Sequence, residues 1–281
     1  MFSCLLHRRL LALLSLCLFA GAARAQSADD ILRQMVEAYE ARMAGIDDYT
    51  VVTEQFTTYY KKVERDGRRS YDAYTEFNVE GLPAMGALNE DDPMMNDPRV
   101  FLANMAGYGE HVGQAAIDGR PVHHLRFEEF PPDALHADPA TTPKRLDLYV
   151  DAEHLVPVKM HMWMEHRQDG APREVEAEMR FEDYRETKGL LHPFRTTMRL
   201  SGLQADISEK ELAEARKGMA ELEKQLAGMP EAQADRMRKM LEPQLKKLEE
   251  ILESGTLTMT FVVRELKVNT GVPGQHFQKR N

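Results

Sequence analysis

Five histidines carry the residue type that most often does chemistry: the adjacent His123 and His124, then His154, His161 and His166. Gathered in space, such imidazoles would hold a divalent metal and activate a bound water for hydrolysis. Their spacing specifies no such site, because no pair shows the helical i, i+4 arrangement of a zinc motif. The alternative is a set of solvated strand histidines, with His161 sharing a polar face with Trp163 and Glu165. Glu174, Glu176 and Glu178 alternate along one segment. That pattern makes a solvent face rather than a converging acid–base pair. Ser201-Gly202 lacks the preceding glycine of a nucleophile elbow, and no phosphate-cradling glycine loop follows a strand. Both cysteines, Cys4 and Cys17, precede residue 26. The rest of the chain therefore has no disulfide, thiol nucleophile or thiolate metal site. No cofactor is expected, and a histidine-metal hydrolase stays open as one reading.

The elements that would position these residues belong to an exported globular chain. Of 281 residues, 43% are hydrophobic and 29% charged, which is globular composition. The net charge of −10 argues against nucleic acid, whose binders displace counterions with a basic face. The 7% aromatic content argues against a stacking platform for single strands. One apolar run exists, at residues 10–20, behind His7, Arg8 and Arg9. It is too short to span a bilayer, which takes about 20 residues. Ala23-Arg24-Ala25 follows as a small-x-small cleavage signal. Residues 1–25 are thus expected to be a cleavable signal peptide and 26–281 a single periplasmic domain. Leu16 stands where lipidation at Cys17 would want a small residue.

Ser27 and Asp30 make a capping box for a first helix, with Leu32, Val36, Tyr39 and Met43 on one face. Period-two alternation then predicts strands. One runs from Tyr49 through Phe56 to Tyr60, and the next carries Tyr71, Ala73, Thr75, Phe77 and Val79 on one face. Asp97-Pro98 opens a short helix. Asp66-Gly67, Asp118-Gly119 and Asp169-Gly170 are hairpin signals. Later strands carry Leu146, Leu148 and Val150, then Val158, Met160, Met162 and Met164. Val175, Ala177, Met179 and Phe181 follow, then Phe194, Thr196, Met198 and Leu200, and last Leu257, Met259, Phe261 and Val263. Leu266 and Val268 continue in the other phase, which predicts a bulge near Arg264-Glu265. The polar tail from Asn269 is expected to be loose. This amounts to eight or nine antiparallel strands with one-sided apolar faces, which need a second layer.

The apolar faces are rich in methionine, an adaptable side chain that recurs on surfaces accepting varied apolar partners. Such residues equally fill an ordinary core. Residues 208–254 interrupt the strands with an antiparallel helical hairpin, broken at Gly228-Met229-Pro230. Its first helix has a narrow 3, 4 seam of Leu212, Ala215, Met219, Leu222 and Leu226. The hairpin is either a solvated ornament or a protruding arm for a partner or for self-association. Arg236, Arg238, Lys239, Lys246 and Lys247 allow transient contact with an anionic membrane surface.

Three stretches carry a family likeness. They are ILRQMVEAYEARMAGIDDYTVVTEQ at 31–55, RLDLYVDAEHLVPVKMHMWM at 145–164 and YRETKGLLHPFRTTM at 184–198. In these the chain resembles the LolA/LolB-like superfamily of exported carriers, in its broader outer membrane lipoprotein-sorting branch. The resemblance implies a mainly antiparallel, unclosed β-barrel with the N-terminal helix, or the segment 98–106, as a lid, here with the 208–254 hairpin inserted. It implies a non-catalytic carrier whose concave face holds acylated or other hydrophobic ligands, with inner- or outer-membrane proteins as partners. The residues placed on that face are Phe77, Val158, Met160, Met162, Met164, Met179, Phe181, Met198, Leu257, Met259 and Phe261. A protein-interaction scaffold acting through residues 208–254 is the alternative.

Overall fold

The computed structural model describes residues 26–65, 68–77, 97–131, 141–168, 171–202, 217–218, 224, 228 and 254–277. The expected signal at 1–25 and nearly all of the expected hairpin at 208–254 lie outside them. Of that hairpin, Lys217, Gly218, Lys224 and Ser254 are helical and Gly228 is in a turn.

Helix α1 (Ala28–Met43) starts at the capping box, with the Ser27 hydroxyl accepting from the Asp30 N–H. Three strands follow: β1 (Asp48–Val52), β2 (Phe56–Arg65) and β3 (Arg68–Phe77). The single strand expected over 49–60 is two. The Thr53 side chain turns the chain, its Oγ1 bonded to both the N–H and the carbonyl of Phe56. A threonine can fold backbone in this way without Gly or Pro. Helix α2 (Pro98–Asn104) is capped by Asp97. Then come β4 (Gly109–Ile117), β5 (Arg120–Phe127), β6 (Thr141–Asp151), β7 (Pro157–Gln168), β8 (Ala171–Thr187), β9 (Leu190–Ser201), β10 (Thr256–Val262) and β11 (Glu265–Val268). Asp118 and Gly119 both take positive φ, as the tight turn between β4 and β5 requires.

All pairings are antiparallel, in the orders β11-β1-β2-β3 and β10-β9-β8-β7-β6-β5-β4. β10 and β11 are one kinked strand. At the kink the Val263 N–H reaches the Phe194 carbonyl and the Arg264 N–H reaches the Val52 carbonyl. The phase change falls where the alternation predicts it, and it hands the strand from β9 to β1. The result is a ten-strand-wide antiparallel sheet with β3 and β4 as its edges. No ladder joins those edges among the described residues, so the barrel is unclosed, as expected.

The sheet wraps around α1. The N-terminal half of the helix, through Ile31, Leu32 and Met35, packs with α2 and with Leu125, Phe127, Leu146, Leu148 and Val150 of β5 and β6. Its C-terminal end, through Met43, packs with Val51, Tyr71, Phe194, Leu266 and Val268. Tyr71 donates its hydroxyl to the Ile46 carbonyl at 2.6 Å, and Tyr49 stacks on Tyr60. Burial pushes the Tyr60 phenol up to about 12. The tail is not loose at its start. The Asn269 side chain accepts from the Asp47 N–H and donates to the Gly45 carbonyl, and Asp48 takes the N–H groups of Thr270 and Gly271.

Candidate ligand-binding face

Strand register assembles the predicted residues into rows running across the strands. Met160 stands opposite Met179, Met179 opposite Met198, and Met198 opposite Met259. Four methionines on β7, β8, β9 and β10 therefore sit side by side. In an antiparallel pair such neighbours have Cβ atoms about 4.5–5.5 Å apart. The same row continues in the other direction as Leu148 and Leu125. A parallel row runs Phe127, Leu146, Met162, Ala177, Leu200, Leu257. Both rows lie on the face that α1 occupies, because Leu125, Phe127, Leu146 and Leu148 pack against that helix and Met160 and Met162 flank the same cluster.

The cover is uneven. Leu125 is 0% exposed and Leu148 2%, beneath α1 and α2. Along the same row Met160, Met179 and Met198 are half-buried, and Met259 is buried at 8%. Among the described residues this row changes from leucine to methionine between β6 and β7, and Met160 still packs against the α1 cluster.

The remaining predicted residues divide. Met164 stands opposite Val175 at the far end of β7 and is half-buried. Val158 is buried. Phe181 and Phe261 flank Thr196 on either side of β9. The Phe261 ring lies 5.6 Å from that of Phe56, and Phe56 stands opposite Phe77, which is exposed. Phe56 thus links the two halves of the sheet. The eleven predicted residues do not include it, because its place depends on the Thr53 turn. Leu200 was legible as a strand-face residue, but its place beside Leu257 was not.

The opposite face of β5–β8 is charged and internally matched. Asp147 is buried there, accepting from Arg126 Nε at 2.9 Å, with His124 Nε2 at 3.1 Å. Burial alone would raise its carboxyl, but the hydrogen bonds from Arg126 and His124 outweigh this and hold it below the usual range. The Arg145 guanidinium lies 3.6 Å from the Trp163 ring centre, and the His161 ring centre lies 3.7 Å from it. Lys159 pairs with Glu178 at 2.6 Å and His161 with Glu176 at 3.1 Å.

The histidines are dispersed. His166 meets Thr141, His154 is exposed, and His123 is buried on the α1 side with its ring 5.3 Å from that of His111. His111 Nδ1 lies 2.7 Å from the Gln26 carbonyl. Burial, and then the His111 ring, hold the His123 imidazole below the usual histidine range. Among the described residues no three His, Cys, Asp or Glu side chains gather as a metal shell requires. A polar cleft of about 650 Å³ lies elsewhere, lined by Asp47, Lys62, Arg69 and Gly271 among others. None of the eleven predicted residues borders it. Among the described residues no helix is long and apolar enough to cross a membrane.

No protein-family model matches the sequence, and no curated protein matches it. Among solved structures the chain is similar to a DUF1329 family protein from Desulfovibrio piger. The identity is 12%, the match covers 89% of this chain and 95% of that one, and the TM-score is 0.44.

Proposed function

We propose that the chain is a LolA/LolB-like exported carrier, non-catalytic, that shields an acylated or other hydrophobic ligand in the periplasm on its way to the outer membrane. The observation that carries this reading is the half-covered methionine row on the inner face of an unclosed sheet. Large apolar faces left partly open to water mark binding surfaces, and methionine adapts to apolar chains of varied shape. Met160, Met162, Met164, Met179 and Met198 form the centre of the face. Leu257, Met259, Phe261 and Phe181 form its β8–β10 side, Phe77 its rim and Val158 its floor. Helices α1 and α2 act as the lid. Each methylene removed from water contributes about 0.8 kcal/mol, so one acyl chain supplies ample driving force. Loading and delivery call for membrane partner proteins, with brief contact at the membrane surface.

The test is native mass spectrometry of the chain purified from periplasm without detergent, followed by solvent extraction and titration with a fluorescent fatty acid. A lipid mass bound one to one is the expected result. Bare protein that also fails to bind the fatty acid overturns the proposal.

A further inference from the structure

We propose that the methionine row is a site of reversible oxidation, and that converting it to sulfoxide switches the apolar face off. The second half of this proposal rests on the carrier reading; the first does not.

Met160, Met179 and Met198 occupy three adjacent register positions and are half-buried. Each side chain thus keeps a solvent-accessible part, by which a water-borne oxidant approaches. In the helices packed on that face, Met35 of α1 is 4% exposed and Met105, the C-cap of α2, 0%. The two classes share composition and lie in one molecule, so they form an internal comparison. Both cysteines, Cys4 and Cys17, precede the described residues. Past residue 25 the chain therefore has no thiol to intercept oxidant, and methionine is the sulfur it offers.

The chemistry is a two-electron oxygen transfer from a peroxide. The thioether sulfur attacks one peroxide oxygen and the O–O bond breaks. An S–O bond forms, the transferred oxygen gives up its proton to the departing hydroxide, and that second oxygen leaves as water. Sulfur is oxidised and peroxide reduced. Reversal needs an external dithiol-dependent sulfoxide reductase, which removes the oxygen as water and becomes a disulfide. Each sulfoxide turns a flexible apolar side chain into a polar one. Because the three positions are adjacent in register, their oxidation places a polar band across β7, β8 and β9, where an acyl chain would lie. Ligand then has to bury unpartnered polar groups, which weakens binding roughly tenfold or more.

The test treats the full folded chain with dilute hydrogen peroxide and maps the added oxygen by peptide mass spectrometry over time. Met160, Met179 and Met198 are expected to oxidise several-fold faster than Met35 and Met105. Equal rates, or the reverse order, overturn the site. Fluorescent fatty acid titration of the same samples reads the consequence. Binding is expected to fall as the row oxidises and to return after treatment with sulfoxide reductase and dithiothreitol. Undiminished binding with the row oxidised overturns the switch, and failure to recover overturns its reversibility. The variant with Met160, Met179 and Met198 all replaced by leucine is compared only with itself: whatever its starting affinity, peroxide is expected to lower it less than it lowers that of the natural chain, and an equal fall overturns the switch at this row. A chain that never binds fatty acid defeats the carrier reading and the switch with it, while the oxidation map still decides the site.

Discussion

Replacing Met179 with glutamine probes the inner face with little change of shape. Met179 lies in the middle of the row, between Met160 and Met198, and is half-buried. In the empty protein the new amide keeps access to water, so folding stability should stay within about 1 kcal/mol, as for an ordinary substitution away from a fully buried core. Under a bound acyl chain the amide loses that water and gains no partner. Burying an unpartnered amide costs about 1–3 kcal/mol in proteins, which weakens binding by about 5- to 150-fold. Met179→Leu keeps volume and apolarity and should change binding by less than about tenfold, from a cost under about 1.5 kcal/mol. Arg180→Gln serves as the control. It is next along β8 but on the opposite face, opposite Lys159 and Thr197, and should leave binding unchanged. The assay is displacement of a fluorescent fatty acid from the full chain, with denaturant unfolding of each variant alongside. Glutamine and leucine variants binding equally well, both folded, would refute the assignment of this face.

Leu148→Ala should destabilise the fold by about 2–5 kcal/mol in denaturant titration, because Leu148 is 2% exposed among Leu125, Leu146 and the α1 side chains. Gly202→Ala should also destabilise, by about 2 kcal/mol or more. Gly202 has φ +89°, and an added Cβ would meet the Glu174 carbonyl oxygen at 2.4 Å. Burial, and then the His111 ring, lower the His123 imidazole and favour its neutral form. Its folded pKa lies below its unfolded value of about 6.5, so its contribution is complete above that pH and is lost as pH falls below it. His192, lowered by burial, acts with the same sign. Melting curves between pH 8 and pH 5 should therefore show an acid-side loss that His123→Phe reduces and His192 sustains.

The faces of the sheet were legible because alternation assigns every second residue to one side, and the inner face carried its methionines openly. The turns at Asp118-Gly119 and the phase break before Leu266 were legible for the same reason: each leaves a local chemical mark. The division of β1 from β2 was not, since Thr53-Glu54-Gln55 contains no Gly, Pro, Asn or Asp and the turn is made by one hydroxyl. Strand count suffered accordingly. The rows across the sheet were beyond any local pattern. Met198 meets Met259 only because β9 and β10 pair across the long segment 202–255, and no periodicity reports a register between strands so far apart. Nor did the tail advertise its anchor, because Asn269 bonds to Gly45 and Asp47, more than two hundred residues earlier.

The uneven cover of the inner face follows from dimensions. A helix with its side chains is about 10–12 Å across, and 16 residues make it about 24 Å long. Ten strand widths at about 4.8 Å unroll to more than 40 Å of sheet. One such helix, with the short α2 beside it, can seal β5 and β6 at one end and the β1–β9–β11 junction at the other. Over β7 and β8, which lie between, its cover among the described residues is partial: Met160 and Met162 pack against its cluster and stay half-buried. A sheet meant only to enclose a core would be narrower or would close on itself. Here the partly covered width carries Met160 on β7 and Met179 on β8, and the opposite face of those strands pairs Lys159 with Glu178 and His161 with Glu176. Among the described residues, the partly covered apolar band thus follows from the ratio of sheet width to helix cover.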